Sequence, residues 1–110
     1  MTLPAGNPAP QPDKTRIYFV NKDNAAQSEI RIGYMSDLTY DPTGEYFERS
    51  LMNYVLGGAF SSRINLNLRE DKGYSYGTYS QFTFRKTPGP FTVSGGVRTD
   101  ATAASVTEIF

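Results

Sequence analysis

The sequence predicts an α+β fold built on an antiparallel sheet. Apolar residues alternate with a period of two in residues 28–36 and again from residue 74 onward, which is typical of half-buried strands. Between residues 42 and 56 they recur at helical spacing instead. The predicted order is therefore β-β-α-α-β-β-α, and such runs of strands and helices indicate an α+β domain. Eight tyrosines and seven phenylalanines supply enough aromatic area for a core.

The composition removes most catalytic chemistries. The 110 residues include no Cys and no His, so this chain cannot form thiolate or imidazole metal sites, cysteine nucleophiles or Ser-His-Asp triads. Eleven basic and eleven acidic residues give a net charge of zero, so we expect no nucleic-acid partner. No apolar run reaches the length of a membrane span, so no membrane insertion is expected. A non-catalytic role is the default interpretation.

The N-terminal part divides into a linker and two strands. Residues 1–14 hold four of the seven prolines and are interpreted as a proline-rich linker, with the domain spanning residues 15–110. Residues 17–20, Ile-Tyr-Phe-Val, are β-branched or aromatic and predict a first strand. We expect it to pair antiparallel with a second strand at residues 28–36, in which Ile30, Ile32 and Tyr34 share one face.

Two helices are predicted next. Asp41-Pro42 is an N-cap and first-turn pair, and Gly57-Gly58 is the expected end of the first helix. The second, shorter helix is predicted to begin at Ser61-Ser62 and to end at Gly73. The apolar face of the first helix is expected to consist of the residues at helical spacing, Phe47, Leu51, Tyr54 and Val55.

A hairpin and a third helix complete the pattern. A return strand follows a turn at residues 86–90, and its Gly95-Gly96 pair predicts a bend or bulge. Residues 74–85 are predicted to form the preceding strand, with aromatic residues of one parity facing the core: Tyr74, Tyr76, Phe82 and Phe84. Thr99-Asp100 is expected to cap the last helix, whose apolar side would be Ala103, Val106, Ile109 and Phe110.

Short motifs spread from about residue 15 to the end carry a family resemblance. They are Leu56-Gly57-Gly58, Ser61-Ser62-Arg63-Ile64, Leu68-Arg69-Glu70 followed by Gly73 and Tyr76, Gly89-Pro90-Phe91, and Val97-Arg98-Thr99-Asp100. In this order they closely resemble the C-terminal, non-zinc domain of the peptidase M16 family, which includes pitrilysin, insulin-degrading enzyme and mitochondrial processing peptidase.

The resemblance implies a fold and a role. The fold is an antiparallel sheet with helices packed on one face, and the chain would hold about half of such a domain. In the family, zinc is bound by a homologous domain of the same chain or of another subunit, and the C-terminal domain is catalytically silent. That silent domain contributes an Arg and a Tyr to substrate binding, and the matching residues here are Arg69 and Tyr76. No cofactor is expected in this chain, and zinc is expected in the partner domain or subunit.

Both residues also have purely structural interpretations. Arg69 stands near the end of a short helix, where a cation stabilises the helix dipole. Tyr76 would be another core-facing aromatic beside Tyr74. Because Tyr74 stands where the family usually has a small apolar residue, the sequence leaves open which tyrosine faces substrate. The spacing of Arg69 and Tyr76 within the family motif favours their functional interpretation.

The predicted function is therefore that of a substrate-binding, non-catalytic domain of an M16 zinc metallopeptidase, inactive on its own. The expected partners are a zinc-bearing M16 domain or subunit and a peptide substrate. Two alternatives stay open, namely an M16 homologue that serves assembly without proteolysis and an aromatic binding surface unrelated to proteolysis. We expect the isolated chain to dimerise or aggregate, since half a domain exposes sheet edge or helix face. A bacterial periplasm and the cytoplasm suit the sequence equally well.

Overall fold

The computed structural model describes residues 11–40 and 43–110. In these residues the fold consists of three antiparallel strands and a layer of helices. Its strands are β1 (Gln27–Met35), β2 (Ser75–Phe82) and β3 (Pro90–Arg98), with β3 in the centre of the sheet. Its α-helices are α1 (Glu45–Asn53), α2 (Arg63–Asn65) and α3 (Thr102–Ile109). Shorter helical pieces adjoin them: the π-helical segments Tyr54–Gly58 after α1 and Leu66–Asp71 after α2, and a 3₁₀ turn, Thr99–Ala101, before α3. The predicted α+β class is confirmed.

The strand register shows that the helices cover one face of the sheet. Val97, which is fully buried, lies opposite Ser28 of β1 and Ser75 of β2. The Thr102 hydroxyl at the start of α3 lies 2.8 Å from Ser28 Oγ, so α3 packs on this face. The segments from α1 to the second π-helical segment pack against β2. The single helical layer expected from the sequence is therefore present.

Polar side chains make up much of the core. The buried apolar residues are Ile30, Leu38, Leu68, Val93, Val97 and Ala101. The buried polar residues are Ser36, Asn53, Ser62, Asn65, Ser75, Thr78, Ser80 and Ser105. A buried polar group without a partner is costly, and hydrogen bonds between the helices and β2 satisfy several of these groups, among them Asn53, Asn65 and Ser80.

The apolar face predicted for the first helix is turned away from the sheet. Phe47, Leu51, Tyr54 and Val55 occur at helical spacing, but their side chains are 59–71% exposed. The opposite side, with Asn53 and Gly57, packs on Ser80 of β2. Helical spacing identifies two sides of a helix, and the close polar contact with β2 decides which one is buried. The predicted cap, Asp41-Pro42, lies outside the described residues.

The strand predicted at residues 17–20 does not form. Its side chains, Ile17, Tyr18, Phe19 and Val20, are 82–90% exposed and lie in irregular backbone. β1 pairs with β3 along its whole length instead, from Gln27 opposite Arg98 to Met35 opposite Pro90. β3 occupies only one edge of β1, which is an edge strand of the sheet, so residues 17–20 and β3 do not compete for the same edge. Local β propensity alone does not make residues 17–20 pair. Of the predicted linker, residues 1–10 lie outside the described residues.

The side predicted to be apolar in the last helix is only partly buried: Val106 and Ile109 are half-buried, whereas Ala103 and Phe110 are exposed. The most buried positions are Ser105 and, in the turn just before α3, Ala101. Small side chains on the buried side let α3 lie close to β1 and β3.

In the part of the chain that the structure describes, no helix combines the length and apolar character needed to cross a bilayer.

Candidate functional site

A tight turn connects the two residues that the sequence singles out. Arg69 lies in the last turn of the π-helical segment Leu66–Asp71, and Tyr76 lies near the start of β2. Between them, Gly73 has a φ of 64°, in the left-handed region that glycine enters without steric cost. The Tyr74 N–H donates to the Leu68 carbonyl at 2.8 Å and closes the turn. The predicted end of the second helix at Gly73 is confirmed.

The Arg69 guanidinium is held by two neighbours. Its central carbon lies 4.2 Å from the centroid of the Phe60 ring, which is a cation–π contact. Its Nη1 forms an ion pair of 2.8 Å with Glu70, and the Arg69 side chain is 32% exposed. A guanidinium has five N–H donors, so these contacts occupy only part of its fork. The side chain is thus oriented while keeping donors for a carbonyl or carboxylate.

The Tyr76 side chain is 86% exposed, and the pairing of β2 with β3 shows why. Ser75 lies opposite Val97, but Gly77 lies opposite Gly96. Two consecutive residues of β3 therefore face three residues of β2, and Tyr76 is the extra one. Such an extra residue is a β-bulge, which redirects a side chain and interrupts the regular alternation of the strand.

The bulge overturns the prediction that Tyr76 faces the core. Tyr76 has the same sequence parity as Thr78 and Ser80, which are 1% and 3% exposed. In an uninterrupted strand these three side chains would share one face. The extra residue instead brings Ser75 to the buried face and leaves Tyr76 outside. The interpretation of Tyr76 as a core aromatic is therefore wrong.

The other aromatics predicted for this strand behave differently. Phe82 and Phe84 are half-buried, and their rings lie 5.9 Å apart. Phe84 also lies 4.6 Å from the ring of Tyr46 on α1. Tyr74 is half-buried and precedes the strand, which runs over Ser75–Phe82 and is shorter than residues 74–85. Of the two tyrosines that the sequence leaves as alternatives, Tyr76 is the more exposed.

The irregularity predicted at Gly95-Gly96 is present, but its extra residue belongs to β2. Gly96 faces the bulge from β3, which continues from Pro90 to Arg98. At Gly95, a Cβ atom would lie 2.6 Å from the Gly77 carbonyl oxygen and 2.9 Å from the Thr78 Cα. Glycine at this position therefore permits the close approach of β2 and β3 beside the bulge.

Sequence reasoning missed the polar groups that hold this region. Ser75 Oγ contacts three groups on β2 and β3, and Asn65 Oδ1 accepts a hydrogen bond of 3.1 Å from the Thr78 N–H. The Asn65 amide also donates to the Phe60 carbonyl at 2.6 Å, next to the ring that contacts Arg69. Serine and asparagine contribute nothing to an apolar period, so no pattern in the sequence indicates these contacts.

A charged cluster ties α3 to the segment that carries Arg69. Glu108 accepts a hydrogen bond of 3.0 Å from the Asn67 amide and lies 3.2 Å from Lys72 Nζ. The hydrogen bond from Asn67, followed by that from Lys72, holds the pKa of the Glu108 carboxyl below its ordinary value. Close to the Gly73 turn, these surface contacts join α3 to a segment that is distant from it in sequence.

The donor set of this chain does not fit a zinc ion. Structural and catalytic zinc sites are built mainly from His and Cys, and the chain has neither. Within residues 11–40 and 43–110, His, Cys, Asp and Glu form no group of three or more that could hold a metal. The hydrogen-bond donors that Arg69 and Tyr76 offer are a guanidinium and a phenol.

Comparison with known proteins identifies the family. The model of the peptidase M16 inactive domain matches residues 2–110. The chain belongs to this family. It is similar to the uncharacterized zinc protease YmxG of Bacillus subtilis (strain 168), with 40% identity over 50 residues. That match covers 46% of this chain and 12% of YmxG.

A solved structure shares the fold. The crystal structure of a peptidase M16 inactive domain from Pseudomonas fluorescens superposes with a TM-score of 0.68 at 29% identity. The match covers 77% of this chain and 20% of that one. The chain therefore spans a small part of both relatives, and the resemblance noted in its sequence is confirmed.

Proposed function

We propose that this M16 inactive domain binds a peptide substrate through Arg69 and Tyr76, at a zinc site carried by another domain or subunit of an M16 zinc metallopeptidase. The observation that carries the proposal is the exposure of the Tyr76 phenol at a β-bulge, 86% accessible on an otherwise ordered strand. Bulges are common beside active sites because they re-aim a side chain. The name of the Bacillus relative, a zinc protease, supports a proteolytic parent.

Tyr76 would act on the carbonyl group of the peptide. Its phenol O–H donates a hydrogen bond to a carbonyl oxygen of the substrate. As that oxygen gains negative charge in the transition state, the hydrogen bond strengthens. An interaction that is stronger in the transition state than in the ground state raises kcat, which substrate affinity alone does not do.

Arg69 would hold the peptide. The Phe60 ring supports one side of its guanidinium, and Glu70 binds one of its nitrogens, so less side-chain freedom is lost when substrate binds. Donors of the planar fork then bind a peptide carbonyl or carboxylate through one or two N–H groups. Since this contact forms before the reaction, removing it should act mainly on KM.

The test is peptide cleavage by the intact parent enzyme with Tyr76→Phe. We expect kcat/KM to fall about tenfold or more, which corresponds to about 1.4 kcal/mol of transition-state stabilisation. Tyr79→Phe is the matched control, since Tyr79 lies on the same strand and is 43% exposed. Cleavage by the Tyr76→Phe variant at the wild-type rate, with folding intact, would refute the role of Tyr76.

Arg69→Lys tests the other half of the site. Lysine keeps the charge but lacks the planar fork, so KM should rise several-fold while kcat changes little. A change in kcat alone would contradict a binding role for Arg69. If the intact parent cleaves no peptide with zinc supplied, the proposed function fails and the assembly role takes its place.

A further inference from the structure

We infer that Ser75 is a positioning residue whose hydroxyl holds the β-bulge and thereby directs the Tyr76 phenol away from the helix-covered face. The inference rests on the proposed function of Tyr76 for its consequence in catalysis. Its structural part concerns only the direction of the Tyr76 side chain. Ser75 does not contact substrate in this proposal, and its effect passes through the residue that follows it.

All the hydrogen-bonding capacity of the Ser75 hydroxyl is used at the bulge. Ser75 Oγ donates to the Gly96 carbonyl at 2.8 Å. It accepts from the Gly77 N–H at 3.0 Å and from Thr78 Oγ1 at 3.0 Å. A serine hydroxyl has one donor and two acceptor sites, so this one is saturated. The Ser75 residue is only 9% exposed, which leaves little room for water to replace these contacts.

These bonds join the two strands where the register changes. Gly77 and Gly96 lie opposite each other, and the Ser75 side chain links the N–H of the first to the carbonyl of the second. The Ser75 hydroxyl therefore bridges the extra residue, Tyr76, by binding the N–H of Gly77 on its other side. This hydrogen bond holds the backbone of the bulge in place.

The second fixed point lies just beyond the bulge. The Thr78 N–H donates to Asn65 Oδ1 at 3.1 Å, which ties β2 to the end of α2. Ser75 and Thr78 are therefore both anchored on the buried face, three residues apart, where a regular strand would place residues two or four apart. Without the Ser75 bridge, the competing arrangement is the regular one, in which Tyr76 shares the face of Thr78 and Ser80.

The structural part is tested in the intact protein by comparing Ser75→Ala with Ser80→Ala. Ser80 is the matched control because it lies on the same strand, is 3% exposed and uses its hydroxyl on Asn53. Two signals report on the bulge, namely amide hydrogen exchange at Gly77 and nitration of Tyr76 by tetranitromethane. Tyr18 is 84% exposed and remote in sequence, so its nitration is the internal reference.

We expect Ser75→Ala to speed Gly77 exchange about tenfold and to lower nitration of Tyr76 relative to Tyr18, with Ser80→Ala leaving both signals unchanged. Wild-type signals in Ser75→Ala, or equal shifts in both variants, would overturn the inference. If Ser75→Ala does not fold, Ser75→Cys takes its place, because a thiol has a similar shape to a hydroxyl but is a weaker hydrogen-bond donor. Gly77 exchange in that variant decides the question, with the wild-type rate overturning the inference.

The catalytic consequence is tested by a double-mutant cycle in peptide cleavage. Ser75→Ala should lower kcat about tenfold with little change in KM, and should have no further effect when Tyr76 is already Phe. Equal losses in both backgrounds would show that Ser75 acts independently of Tyr76 and would overturn the inference. If Tyr76→Phe alone changes nothing, the proposed function fails, and exchange and nitration still decide whether Ser75 directs Tyr76.

Discussion

The two sides of α1 and of the π-helical segment that follows it differ in polarity and in burial: the polar side packs on β2, and the apolar side is exposed. On the side facing β2, the Asn53 amide donates to the Ser80 carbonyl at 2.8 Å and accepts from Ser80 Oγ at 2.6 Å, and Gly57 packs on the same serine. On the other side, Phe47, Leu51 and Tyr54 are 59–71% exposed. Directional hydrogen bonds and close approach hold this helix on the sheet, while its apolar side is exposed.

The largest effect should come from filling the space at Gly57. A Cβ atom there would lie 2.7 Å from the Ser80 backbone nitrogen, so Gly57→Ala must push the helix off β2. We expect a loss of about 3 kcal/mol in the free energy of unfolding, measured by denaturant titration. Gly58→Ala is the control, since its Cβ would lie 3.1 Å from the Asn53 carbonyl oxygen. Equal losses in the two variants would contradict close approach as the cause.

The polar bridge at Asn65 should come next. Asn65→Ala leaves the Thr78 N–H and the Phe60 carbonyl without their partner in a site that is 1% exposed. The expected loss is about 2 kcal/mol in the free energy of unfolding. Asn67→Ala removes an asparagine of the neighbouring segment whose amide bonds the surface residue Glu108, and its loss should be about 0.5 kcal/mol or less. Similar losses would show that burial of Asn65 does not matter.

A smaller effect is expected on the apolar side of α1. Leu51 is 71% exposed, so Leu51→Lys should change the free energy of unfolding by less than about 0.5 kcal/mol. The same variant should weaken the self-association expected for the isolated chain, because it places a charge in the exposed apolar side. Sedimentation velocity together with denaturant titration checks both statements. A stability loss as large as that of Gly57→Ala would mean that this side is buried after all.

The smallest effect concerns the link between α3 and the Gly73 turn. Because Asn67 and Lys72 lower the pKa of Glu108 in the folded state, the unfolded chain binds its proton more readily as the pH falls. The contribution of Glu108 is therefore present above its ordinary pKa and is lost as the pH drops through the lower, folded-state value. Melting temperatures of the wild type and Glu108→Gln should converge in acid. A constant difference across the pH range would contradict the linkage.

The glycine stop signal was more accurate than the predicted caps. Gly73 ends the second helical region as expected, and Ser62 directly precedes α2, but its side chain makes no capping hydrogen bond. Thr99 and Asp100 lie in the 3₁₀ turn, and Ala101 occupies the N-cap position of α3. The strand predicted at residues 17–20 does not form, because β propensity alone does not specify which strand a segment pairs with. Arg69 and Tyr76 were selected by a family motif, whereas Ser75 and Asn65 belong to no apolar pattern and become visible only through their hydrogen bonds.

By itself, the sequence determined the α+β class, the family and the spacing that puts Arg69 and Tyr76 on either side of a glycine turn. Only the tertiary structure decided which way these elements face. An apolar period divides a helix or strand into two sides without saying which one meets the sheet, and α1 buries the side with Asn53 and Gly57. A single extra residue changes which face of the sheet the side chains on either side of it occupy. In β2 that extra residue is Tyr76, and the bulge is defined only by the pairing of β2 with β3.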